Sequence, residues 1–239
     1  MTAESDQTSV QTVRALLAEE NRRLLGATIA VEDSSWRAPS RLPGWTRGHV
    51  ATHLARNADA LRRVARGARA GTDEEMYPDD RDAEIEAGAA RDGVELQTDL
   101  DRTAEALHEE FEQVAATDAW GRTVRLRGGF EPTAAALPAA RLTEVVLHQV
   151  DLDLGHQTDD IDHAVAAQCL SWCATRLGAR SDFPALRLIT EDTEISLGDV
   201  SGSDTPTVVG PANRLLGWLT GRSGADGLEG ATEQLPSFG

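Results

Sequence analysis

The chain has 239 residues, 40 acidic against 23 basic, a formal net charge of -17 and a hydrophobic fraction of 40%. Its length suits one large domain or two ordinary ones with real cores, and its acidity argues against capture of nucleic-acid phosphates or anionic lipid. No apolar run is long enough to span a bilayer, no secretion leader is read at the start, and two cysteines make no disulfide scaffold, so a soluble cytoplasmic protein with neither nucleic-acid nor membrane partners is expected.

From about residue 9 to residue 178 the composition, rich in alanine, leucine, glutamate and arginine, suits helices. The first is predicted over about 10–29, where Val13, Leu16, Leu17, Glu20, Leu24 and Leu25 form a stripe at spacings of three and four. An irregular connection through Asp33-Ser34-Ser35 and Pro39 to Gly44 leads to a second helix over 46–68. The acidic stretch 73–82 reads as loop, and a third helix covers about 96–116. Residues 120–130 hold a short extended piece, 132–140 an irregular lead-in, and 141–154 a strong fourth helix.

After Gly155 the character changes. A helix over 163–177 is followed by three short strands, 186–189, 194–197 and 207–209, then a helix over 213–220 and a loose tail. The expected fold class is α+β, an antiparallel four-helix bundle over 1–158 followed by a small C-terminal α/β domain over 159–239.

The second helix carries its own start signal. Thr46 suits the N-cap, and Trp45 and Val50 occupy the two positions of a hydrophobic staple. His49 falls in the first turn, where positive charge is unfavourable, so it should be neutral or exposed. His53 lies a turn further on, at the edge of the apolar stripe and beside Asn57.

Glu144 and His148 lie four residues apart on the fourth helix and so share one face. Such a pair can hold a metal or be a surface ion pair. With His53 from a facing helix it would complete a His-His-Glu set, which suits zinc and leaves a fourth position open. Asp151, three residues after His148, could orient the imidazole or be a solvated helix residue. His49 is the rival ligand; His108, His156 and His163 read as surface residues. Cys169 and Cys173 are spaced as CxxxC and alternate with apolar residues, which favours buried structural roles over redox chemistry. Any thiol chemistry would then need a thiol from outside. Arg222, between Gly221 and Ser223, could clamp a carboxylate or cap the preceding helix.

The segments Leu42-Pro43-Gly44-Trp45-Thr46, His49, His53-Leu54, Arg56-Asn57-Ala58 and Leu61, and then Arg141, Glu144-Val145, His148 and Val150-Asp151-Leu152, resemble the paired signatures of the mycothiol-dependent maleylpyruvate isomerases. These belong to the DinB-like metal-binding four-helix bundles. The resemblance continues through Gly217, Gly221-Arg222 and Asp226-Gly227. It departs in the stretch Asp151 to Gly155 and in the acidic segment 73–84. It implies a DinB-like bundle, metal ligands His53, Glu144 and His148, and a substrate or thiol site that includes Arg222, with Asn57 and Asp151 assigned to cofactor binding. The implied cofactors are zinc and mycothiol. The implied activity is cis-trans isomerisation of maleylpyruvate, a small carboxylate, to fumarylpyruvate in gentisate breakdown, by thiolate addition, bond rotation and elimination. A mycothiol S-transferase and a non-catalytic metal- or thiol-binding regulator are the alternatives. No heptad run calls for a coiled-coil partner, so a monomer is expected.

Overall fold

The computed structural model describes residues 3–202, 204–232 and 235–238. The chain divides into two compact units, Met1–Gly155 and His156–Gly239. The fold class expected from the sequence is the one observed, a helical bundle followed by a small α/β domain.

Four long helices build the first unit: α1 (Ala3–Thr28), α3 (Arg47–Ala70), α5 (Gly93–Ala115) and α6 (Leu137–Asp151). Two shorter ones, α2 (Asp33–Trp36) and α4 (Arg81–Ala89), sit in the connections. Helix α3 packs against α4, α5 and α6, and α1 closes the bundle against α5 and α6. Apolar residues repeat around α3 so that Val50, Leu54, Leu61 and Val64 are all buried, with alanines between them that let neighbouring helices approach. On α1, Val13, Leu17, Glu20 and Leu24 face inward as the stripe predicts. The buried Glu20 carboxylate accepts from Gln149 Nε2 of α6 at 3.0 Å.

A second polar knot ties α3 to α5. The Asp99 carboxylate is buried and accepts from Arg56 at 2.9 Å, Arg91 at 2.8 Å and Arg102 at 3.0 Å. Burial alone would raise this carboxyl. The bonds from Arg102 and Arg91 and the charge of Arg56 outweigh that and bring it below its ordinary value.

Two boundaries differ from the sequence reading. Helix α4 falls partly in the stretch read as loop and extends beyond it. Its start depends on Asp80, whose Oδ1 accepts from the amides of Asp82 and Ala83 at 3.1 Å each, and only Ile85 and Ala89 are buried along it. One apolar pair in an acidic run is too little periodicity to reveal a helix. Helix α6 starts at Leu137 rather than 141, because Pro138 sits in its first turn, where a missing amide costs nothing. The short extended piece expected within 120–130 is present: Thr123 and Thr133 form an isolated antiparallel bridge, and Leu126 N–H donates to Phe130 O at 2.8 Å.

The second unit contains α7 (His163–Gly178), β1 (Leu186–Ile189), β2 (Glu194–Leu197), β3 (Thr207–Val209) and α8 (Ala212–Leu219). The sheet order is β2-β1-β3, with β1 antiparallel to β2 and parallel to β3. Leu186 pairs with Leu197 and Leu188 with Val208, and all four are buried. Helix α7 packs against β2 and α8. Cys169 and Cys173 are fully buried on α7 and form no disulfide. The tail is tied down rather than loose. Trp218 Nε1 donates to Thr232 O and Arg180 Nη1 to Ser237 O, each at 2.9 Å; residues 233, 234 and 239 of it lie outside the described residues. No helix among the described residues is long and apolar enough to cross a membrane.

Helix α4 lies so close to α3 that a Cβ at Gly48 would stand 2.5 Å from the carbonyl oxygen of Ala89. Gly48→Ala should therefore destabilise the protein by about 1–3 kcal/mol. Denaturant unfolding at neutral pH checks this, and an unchanged midpoint would show that α4 yields freely.

Candidate metal centre

Thr46 caps α3 and shapes one side of the site. Its hydroxyl accepts the His49 amide at 3.4 Å, and its own amide donates to His49 Nδ1 at 3.2 Å, so the histidine completes a capping box. A ring nitrogen that accepts a backbone proton carries none itself, and His49 Nε2 is left to meet Glu86 Oε2 at 3.1 Å. His49 is thereby engaged away from the bundle interior. The Trp45 ring stacks on His49 at 6.1 Å between centroids and tilts against His53 at 5.7 Å.

His53, on α3, and Glu144 and His148, one turn apart on α6, come together. One donor atom from each lies within 4.8 Å of the others. His53 Nε2 stands 2.9 Å and His148 Nε2 3.3 Å from the same oxygen, Glu144 Oε2. The two imidazoles meet nearly edge to face, with centroids 4.6 Å apart. Both rings are close to fully covered, whereas Glu144 is partly exposed.

Each ring is also held from behind. Asp151, 1% exposed, sets its Oδ2 2.8 Å from His148 Nδ1. That leaves His148 Nε2 directed at Glu144. Arg81, at the start of α4, sets Nη2 3.1 Å from His53 Nδ1. A guanidinium only donates, so His53 Nδ1 accepts and the ring proton sits on Nε2, facing Glu144. The Arg81 guanidinium also lies over the Tyr77 ring, 5.7 Å from its centroid.

The electrostatics follow from this crowding. Burial pushes His53 down to about 4, against 6.5 in an open chain, and its bond to Glu144 only partly opposes that. Burial would also lower His148, but its bonds to Asp151 and Glu144 outweigh it and the net shift is upward. Burial would raise Glu144; the two imidazoles reverse that and hold it well below its ordinary value. Burial, helped by the Glu144 charge, raises the Tyr77 phenol.

Of the other residues singled out in the sequence, Asn57 is buried on α3, where its Oδ1 accepts from Arg141 Nη1 at 2.9 Å. Arg222 lies in the second unit, just past α8. Its Nη1 donates to Thr220 O at 2.8 Å, and its guanidinium stands 5.6 Å from the Phe238 ring centroid. Sequence reasoning missed Arg81 and Tyr77, which lie in the stretch read as loop; the one available signal was that Tyr77 is the chain's single tyrosine.

Two imidazoles and one carboxylate on facing helices form a donor set able to hold a single divalent ion with a position left open. The sequence profile described as mycothiol maleylpyruvate isomerase N-terminal domain matches residues 17–153, more than half of the chain, and the chain belongs to that family of enzymes. The fold is similar to the crystal structure of the mycothiol-dependent maleylpyruvate isomerase, with a TM-score of 0.78, 24% identity and 95% of each chain covered. A histidine-to-alanine mutant of that enzyme gives 0.79 and 23% over the same shares. No curated protein matches the chain in sequence.

The two histidines should leave opposite marks on stability. His53 takes up its proton less readily when folded than the 6.5 of an open chain, so its contribution is complete above pH 6.5 and is lost as pH falls toward 4. That loss is on the order of 3 kcal/mol. The raised His148 contributes stability below 6.5 that is lost as pH rises through its folded value. Denaturant unfolding of metal-free protein from pH 4 to 9 should show His53→Gln flattening the acid limb and His148→Gln the neutral one. Identical profiles for both variants would contradict this assignment.

Proposed function

We propose that the protein is a zinc- and mycothiol-dependent isomerase that converts maleylpyruvate to fumarylpyruvate. The convergence of His53, Glu144 and His148 on one point carries this reading, and family membership supports it. The residues fit the metal in number and kind. Asp151 bonds Nδ1 of His148, the arrangement that fixes the tautomer of ligating histidines. Burial keeps His53 neutral at pH 7, so no proton charge has to leave that ring before it ligates.

When bound, the ion supplies Lewis acidity and lowers the pKa of a thiol at its open position. The protein's own groups do the rest. Glu144, held ionised, would offset part of the metal charge, and the Trp45 ring packs against His53 at 5.7 Å between centroids. Ligation through Nε2 would place the His53 proton on Nδ1, the atom that Arg81 Nη2 faces at 3.1 Å. Arg222 is assigned to a substrate carboxylate, which its planar pair of donors suits. The thiol is regenerated, so no redox equivalent is consumed. The protein is read as a monomer working in the cytoplasm, where small thiols stay reduced.

Protein purified without added metal should contain close to one zinc per chain by elemental analysis, and His53→Ala and Glu144→Ala should lose it. Activity with maleylpyruvate and mycothiol should fall at least about 100-fold in both variants. The thiol count should stay constant through turnover; stoichiometric loss of thiol would make the protein an S-transferase. Absence of zinc uptake by the wild type would overturn the mechanism.

A further inference from the structure

Helices α3 and α6 meet through two polar rungs, one helical turn apart. In one, His53 Nε2 faces Glu144 Oε2 at 2.9 Å. In the other, Arg141 Nη1 donates to Asn57 Oδ1 at 2.9 Å and to the backbone oxygen of Leu54 at 2.7 Å. His53 and Asn57 are four residues apart on α3, and Arg141 and Glu144 three apart on α6. Both pairs therefore lie along one helix face, and the two helices pass in opposite directions with the rungs stacked.

Arg141 is 1% exposed, among the largest fully buried side chains of the protein. Among the described residues no carboxylate lies within ion-pair distance of its guanidinium, and its Nε has no hydrogen-bond partner. A buried cation without a paired anion is costly. Its two bonds are spent on the residue next to His53 in sequence and on the residue one turn beyond it.

We propose that Arg141 is a positioning residue, whose bonds to Leu54 and Asn57 set the register and separation of α3 and α6 at which His53 reaches Glu144 and His148. The proposal rests on reading those three residues as a metal site. Charge cannot account for Arg141 there. Its positive charge repels an incoming cation. Removing the charge alone would strengthen metal binding, whereas removing the rung weakens it. The sign of the effect separates the two.

The test is the zinc affinity of metal-free protein, measured by competition with a chromophoric chelator. It compares wild type, Arg141→Met, Arg141→Lys, Asn57→Leu and the Arg141→Met/Asn57→Leu double variant, each checked for helical content by circular dichroism. Arg141→Met and Asn57→Leu should each weaken zinc binding about 10- to 100-fold. The double variant should be no worse than the weaker single one, because both remove the same rung. Arg141→Lys should recover most of the affinity, since one nitrogen makes both of the bonds that Nη1 makes. Arg141→Met binding zinc as tightly as wild type, or more tightly, overturns the proposal, as do additive losses or a lysine variant no better than methionine. If Arg141→Met does not fold, Asn57→Leu and Arg141→Lys decide by the same criteria. A wild type that takes up no zinc overturns the metal reading and this proposal with it. A wild type that binds while its variants match it overturns this proposal alone.

Discussion

Two helices whose contact residues lie 91 positions apart in the chain must present charged and ring-nitrogen groups to each other inside an apolar bundle. Each polar side chain on that seam sacrifices hydration, so each needs a partner within the protein. The facing of α3 and α6 meets the need with reciprocal contacts: His53 with Glu144, Glu144 with His148, His148 with Asp151, and Arg141 with Asn57. Other elements of the first unit support that seam from outside. Helix α1 holds Gln149 through Glu20, and α5 holds Arg56 through Asp99. The loop before α3 and the first residue of α3 clamp the far end of α6, where Arg41 N–H donates to Asp151 O at 2.8 Å and Arg47 Nε to Leu152 O at 2.6 Å.

Much of this was legible in the sequence because burial writes periodicity. The stripes on α1, α3 and α6 located the bundle, and the i,i+4 spacing of Glu144 and His148 put them on one face whatever the tertiary packing. The three strands were readable for the same reason, through short β-branched and leucine-rich runs between turns. Thr46 was readable as a cap because a hydroxyl before a helix has a local partner. The role of His49 in that cap was not, since an imidazole replaces the usual glutamate there and the pattern that reveals a capping box is absent.

What could not be read depends on long-range contact. Nothing near Arg81 in sequence indicates that it ends beside His53, and α4 buries too few apolar residues to show itself. Asp151 reads equally well as solvated or buried until α6 is seen to turn it inward. Apart from its place in the signature, Arg141 looks like an ordinary helix arginine, because its lack of an ion-pair contact among the described residues is a property of the packed bundle. The polar residues of a core are specified by what faces them, and one strand of sequence holds only half of each such pair.

The wall beside the donor set is made differently from the donor set itself. His53, Glu144 and His148 stand on helices that are buried along their length, whereas Tyr77 and Arg81 come from an acidic, largely exposed segment and the first turn of a thin helix. Such a segment tolerates insertion and replacement, because few core contacts hold it. Selection can therefore remodel that flank of the donor set without disturbing the three residues of the set itself. A lineage built on this plan can diverge in what it accepts while its chemistry stays the same.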